Sequence, residues 1–144
     1  MCHYNEQSMW RPRIMASELR VNTLKDANGN NSIATSIVAG GSAKVWADVD
    51  MTGTVELTTG SLNATGITDN GTGDVTLLIN VTMANTNYAC SSMCGAINSF
   101  DDECMAHIIS RGQSSARFGI TDVHNSADAF DVDPCMFIIH GDLA

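Results

Sequence analysis

From Ser42 onward the chain keeps a period of two. In "KVWADVD" Val45, Ala47 and Val49 fall on one side, with Trp46 and Asp48 on the other. Val75, Leu77, Ile79 and Val81 repeat the alternation, as do Cys135, Phe137 and Ile139. Successive side chains of a strand point to opposite faces, so this pattern predicts strands with one buried face. Shorter runs of the same kind occur in "GTVEL", "NYACSSMCG", "CMAHIIS" and "RFGITDV", parted by clusters of Gly, Asn, Asp and Ser. About seven strands without a long amphipathic helix between them predict an all-β fold over residues 42–144, an antiparallel β-sandwich that is jelly-roll-like. A short helix around "INSFDDECMAHI" is the one expected interruption.

Residues 1–41 read differently, with few apolar positions and no sustained period. Only "LRVNTL" alternates, Leu19, Val21 and Thr23 against Arg20, Asn22 and Leu24, which suits a short strand in an extended N-terminal arm. The run "DANGNNSIATSIVAGG" that follows is expected to be flexible, with Gly40 and Gly41 as a hinge. Such a segment cannot build a core, yet Trp10, Ile14, Leu19, Val21 and Leu24 are apolar groups for a partner to cover. These five are the expected attachment residues of the arm.

Between a strand ending near Ile67 and the strand starting at Val75 lies "DNGTGD". Asn70, Gly71 and Gly73 supply the residue types that adopt positive φ in tight hairpins. A calcium loop needs acids at alternate positions and a distal bidentate Glu, and none follows Asp74. A phosphate cradle needs a helix after its glycines, whereas "DVTLLINV" follows here. The stretch is therefore expected to be a structural turn.

The remaining composition narrows the function classes. A chain of 144 residues suits one domain and buries about 68–70% of its unfolded surface. Only 16% of residues are charged, against about 25% in an average domain, and the balance is a net charge of -9. That sign repels phosphate backbones, so nucleic acid is not an expected partner. The first fifteen residues lack the apolar core of a signal peptide, and the five cysteines are an odd number, so synthesis in a cytoplasm with reduced thiols is expected. Asn30, Asn63, Asn70 and Asn80 begin sequons that carry no sugar in that setting. Cys90 and Cys94 lie about 13 Å apart on one strand, too far to share a zinc ion. His3, His107, His124 and His140 show no ligand spacing, and no nucleophile sits in an elbow motif. The acids at 101–103 and Asp128, Asp131 and Asp133 read as solvated loop residues. No catalytic residue, metal site or cofactor is expected.

Several stretches carry a resemblance that spans most of the chain. "MASELRVNTLKDANGNNSIATSIVAGGSAKVWADVDMTGTVEL", "ITDNGTGDVTLLINVTMANTNYAC" and the ending "FIIHGD" resemble small bacteriophage virion proteins described as tail-fibre or fibre-like. The matching positions are Leu19 to Leu24, Ala43 to Trp46, Ile67 to Leu77 and Met83 to Tyr88. Val45 departs from the usual Ala, Val75 and Leu77 replace an aromatic residue and a Val, and Ala89 to Pro134 matches nothing in the pattern. The resemblance implies a non-enzymatic virion component, a homotrimer, bound to other phage structural proteins of the tail or capsid. It also implies contact with a host-surface glycan or outer-membrane protein if the location is the tail. Decoration of the capsid is the alternative location. A small metal- or thiol-dependent enzyme is the reading from another class, and the lack of a convergent triad weighs against it.

Overall fold

The computed structural model describes residues 19–95, 104–123 and 128–144. Three short elements come first: β1 (Thr23–Lys25), β2 (Ser32–Ala34) and α1 (Thr35–Gly41). Eight strands follow: β3 (Ala43–Asp50), β4 (Glu56–Leu57), β5 (Ala64–Gly71), β6 (Asp74–Ile79), β7 (Ala89–Cys94), β8 (Cys104–Arg111), β9 (Ser115–Asp122) and β10 (Cys135–His140). They form two four-stranded antiparallel sheets, β4-β3-β10-β7 and β5-β6-β9-β8, packed as a sandwich. The all-β sandwich read from the alternation is present.

Eight strands in two sheets is the jelly-roll count, and the connections add a further relation. A constant-type immunoglobulin sandwich orders its strands A-B-E-D and C-F-G. Assigning A to F to β5 through β10 reproduces A-B-E-D in one sheet and C-F in the other. The G position, antiparallel beside β10, is then filled by β3, the first strand of the sandwich instead of its last. Such a shift leaves the packing intact where the two ends of a domain lie together. They do here: His140 pairs with Ala43, and its Nδ1 is 3.0 Å from the Gly41 carbonyl oxygen.

The central strands of each sheet supply the core in threes. Val45, Ala47 and Val49 of β3 and Cys135, Phe137 and Ile139 of β10 face Val75, Leu77 and Ile79 of β6 and Ala116, Phe118 and Ile120 of β9, all buried. Phe118 and Phe137 stack between the sheets with centroids 4.0 Å apart. Central strands are covered on both edges, so only their faces decide burial, and the period of two is cleanest there. Val81, grouped with β6 by its alternation, lies beyond the end of that strand and is half-buried.

Three expectations need correction. The helix around "INSFDDECMAHI" is not formed at its C-terminal end, because Cys104 to Ile108 belong to β8; residues 96–103 lie outside the described residues. Pairing with β9 satisfies that backbone, and tertiary pairing outweighs local helix tendency. The run after Asp26 is not a plain flexible linker. The Asp26 carboxylate accepts bonds from the backbone N–H of Asn28, Asn30 and Asn31 and from the Asn31 side chain, closing the β1–β2 turn. Gly40 and Gly41, expected as a hinge, lie in the last turn of α1. Finally, Cys94 and Cys104 form a disulfide, against the expectation of reduced thiols. Their Cα atoms are 6.1 Å apart because β7 and β8 are the facing edge strands of the two sheets, a proximity that spacing along the chain does not reveal. Ser92 reinforces the same seam by donating to the Ala106 carbonyl oxygen at 3.0 Å.

Candidate functional site

The described part of the arm, residues 19–41, is folded, and its elements bury no side chain. β1 and β2 pair in the register Thr23 with Ala34, Leu24 with Ile33 and Lys25 with Ser32. The Thr35 hydroxyl donates to the carbonyl oxygens of Val21 and Asn22 at 3.0 and 3.2 Å, tying α1 back onto the hairpin. No residue of β1, β2 or α1 is buried. Leu19, Val21 and Leu24 are 79%, 38% and 43% exposed. The structure adds Ile33, Ile37 and Val38 to them, at 41%, 63% and 41%. Their setting among Asn, Gly and Ser hid these three, although Ile33 and Ile37 stand four apart. Trp10 and Ile14 lie outside the described residues. Lys44 closes the junction with the sandwich, its ammonium donating to the carbonyl oxygens of Ala39 and Ser42.

The predicted turn is a turn, with a longer first strand than its residues suggest. β5 runs on from Ile67 to Gly71, with a register shift between Asp69 and Gly71 that leaves Asn70 as a bulge. Gly71 and Gly73 both take positive φ, 123° and 65°. The Gly71 N–H donates to Asp69 Oδ1 at 2.8 Å. Asn70 Nδ2 donates to Thr76 Oγ1 at 2.8 Å and to Asp74 Oδ1 at 3.2 Å. Gly73 is enclosed: its N–H donates to Asp131 Oδ1 at 2.8 Å, and its carbonyl oxygen accepts from the Ile120 N–H at 2.7 Å. Asp131, read from sequence as a solvated acid, therefore anchors the turn.

Beside the turn Arg117 holds Asp74 through both carboxylate oxygens, its Nε at 2.8 Å from Oδ1. The Arg117 guanidinium is the chief cause that keeps the Asp74 carboxyl below its ordinary range. The acids of this loop thus accept from nitrogen donors of the chain itself. His107 lies over Gly119, so close that a Cβ there would meet its ring at 2.6 Å. Together with Thr72, Asp74 and Ile109 it borders a shallow hollow of about 190 Å³. Among the described residues two thiols are free: Cys90, whose pKa is raised chiefly by burial, and Cys135, pushed up to about 12 chiefly by burial. A thiol held neutral in this way is a poor nucleophile. No protein-family model, curated protein or solved structure matches the chain.

Proposed function

We propose that the chain is a structural, non-enzymatic bacteriophage virion protein, anchored to its particle by the arm of residues 1–41 while the sandwich of residues 42–144 is displayed. One observation carries the attachment role: between Leu19 and Val38 six large apolar side chains stand exposed, and four of them, Leu24, Ile33, Ile37 and Val38, sit on a hairpin and helix that are already hydrogen-bonded into shape. Exposed apolar groups on a preformed module suit burial by a partner. Each supplies about 1.5–3 kcal/mol when fully covered, before ordering costs. The arm's hairpin and helix lower those costs, because less of the chain remains to be ordered. The phage setting rests on the resemblance of Leu19 to Leu24, Ala43 to Trp46 and Ile67 to Leu77 to fibre-like virion proteins. On that reading the partner is another phage structural protein, and the displayed sandwich meets the host surface in a tail appendage.

The test uses two arm variants, Leu24→Asp and Ile37→Asp, in virions that lack the native copy. Both side chains are exposed, so the variants keep the cooperative melt of the wild type and fail to enter particles. Normal incorporation of both would assign attachment to the sandwich and overturn the role of the arm. Counting copies in wild-type particles separates tail, a small multiple of the tail symmetry, from capsid, a multiple set by the shell lattice.

A further inference from the structure

Glycine follows asparagine twice in this chain, at Asn28–Gly29 and at Asn70–Gly71. A backbone nitrogen one residue after an asparagine can close a succinimide ring on the side-chain amide, and glycine, having no Cβ, leaves the approach open. The fold gives the two asparagines opposite settings. Asn70 is the bulge of the β5–β6 hairpin, and its Nδ2 donates to Thr76 Oγ1 at 2.8 Å and to Asp74 Oδ1 at 3.2 Å. Arg117 fixes Asp74 in turn, so the amide is tied to an anchored acceptor. The nitrogen that would attack it, that of Gly71, is bonded to the Asp69 carboxylate at 2.8 Å. Ring closure at Asn70 therefore breaks all of these bonds inside a ladder that pairs Asp69 with Val75 and Gly71 with Asp74.

Asn28 lies exposed in the β1–β2 turn. Its backbone N–H donates to Asp26 Oδ1 at 3.1 Å, but its side-chain amide makes no hydrogen bond among the described residues. Gly29 has a φ of 71°, with nothing within 4 Å of where a Cβ would stand. Its N–H donates to the Asp26 carbonyl oxygen at 3.0 Å, within a sheet of only two strands. A two-stranded hairpin is marginally stable, and local opening frees that nitrogen without disturbing the sandwich.

We infer that Asn28 is a site of spontaneous covalent modification in the folded protein, with water as co-reactant, and that Asn70 in the same dipeptide is protected. The Gly29 nitrogen gives its proton to solvent base and attacks Asn28 Cγ. The N–Cγ bond forms, the Cγ–Nδ2 bond breaks, and ammonia leaves with a proton returned by solvent. Water then opens the ring. Cleavage of the new N–Cγ bond leaves aspartate at position 28, whereas cleavage of the original peptide bond leaves isoaspartate, with the chain routed through the side chain. Either product places a carboxylate beside Asp26, which already gathers the N–H groups of Asn28, Asn30 and Asn31. The isoaspartyl form also lengthens the backbone inside the turn that sets Leu24 against Ile33. The change falls on the arm and spares the sandwich turn, whatever the arm binds.

Peptide mapping by mass spectrometry reads both sites in full-length protein held at mildly alkaline pH. In the folded protein Asn28 should convert about tenfold or more faster than Asn70, a margin set by two bonds to break at one amide and none at the other. In urea the two rates should converge. Thr76→Val, which removes an acceptor from Asn70 and keeps the side-chain shape, should raise conversion of Asn70 several-fold and leave Asn28 unchanged, with a retained cooperative melt showing that the fold is intact. Equal rates at the two sites in the folded protein, an Asn28 that converts only in urea, or a folded Thr76→Val protein with Asn70 unchanged overturns the proposal.

Discussion

Replacing Gly73 by alanine tests how the hairpin is built. Gly73 has a φ of 65°, a left-handed conformation that costs a residue with a Cβ about 1–2 kcal/mol. A Cβ there would also lie 2.5 Å from the Ile120 carbonyl oxygen, 2.8 Å from the Phe130 nitrogen and 3.0 Å from the Ala129 Cβ. Two of those atoms are backbone, so no rotamer change relieves the clash. Relief requires the turn to lift away from β9, stretching the bonds from Gly73 N–H to Asp131 and from Ile120 N–H to Gly73. Overpacking of this sort costs about 1–3 kcal/mol and each hydrogen bond about 0.5–1.5 kcal/mol. Gly73→Ala should therefore destabilise by about 3–5 kcal/mol, a large part of the 5–15 kcal/mol typical of a domain.

Gly71 is the internal control. Its φ of 123° favours glycine as strongly, but a Cβ there meets nothing within 4 Å. Gly71→Ala should cost only the strain, about 1–3 kcal/mol. Asparagine separates the two terms, because it tolerates a φ near 65° but brings the same Cβ. Gly73→Asn should be nearly as destabilised as Gly73→Ala. Urea unfolding followed by strand-region circular dichroism measures all three, and the m-value checks that the unfolding transition is unchanged. If Gly73→Asn recovered most of the loss, or if Gly71→Ala were the worse of the two alanine variants, the close approach of β9 would not be what demands glycine.

Three further outcomes are expected. Reducing Cys94–Cys104, or replacing both by serine, should lower stability by about 3 kcal/mol, since the bond closes a loop with a sequence separation of 10; an unchanged urea midpoint with and without reductant would refute this. Asp74 has its carboxyl lowered by Arg117, so its contribution is present above its unfolded value near 3.8 and is lost as pH falls through the folded one; Asp74→Asn should flatten the loss of stability below pH 4, and acid melts parallel to wild type would count against the pair. Tyr88 is buried and pushed up to about 12, with its hydroxyl 2.8 Å from the Gly112 carbonyl oxygen, so its contribution is complete below pH 10 and is lost as pH rises through 12. Tyr88→Phe should cost about 0.5–1.5 kcal/mol at neutral pH and weaken the alkaline loss, which pH-dependent melting measures.

The legible parts of this fold are those that a single strand decides. Burial on β3, β6 and β10 follows from the alternation of each strand alone, and the glycines of the turn follow from backbone sterics within six residues. What stayed hidden depends on two segments meeting. The Cys94–Cys104 bond, the grip of Asp131 on Gly73 across 58 residues and the placement of β3 beside β10 are all long-range pairings. The helix expected near "CMAHI" failed for the same reason, since β9 supplies the ladder that turns those residues into strand.

The candidate surfaces divide along the same line. Leu19, Val21 and Leu24 were visible as apolar residues in a segment with few others, and all three stand exposed. Ile33, Ile37 and Val38 were not, because their run mixes them with the residues of turns. On β3 the alternation places Trp46 and Asp48 together on the outward side, which is visible in seven letters. That Asp48 Oδ1 is buried without a hydrogen-bond partner among the described residues depends on how β3 meets its neighbouring segments, which the letters of the strand do not show. An outward apolar rung alone would be ordinary on a soluble sandwich.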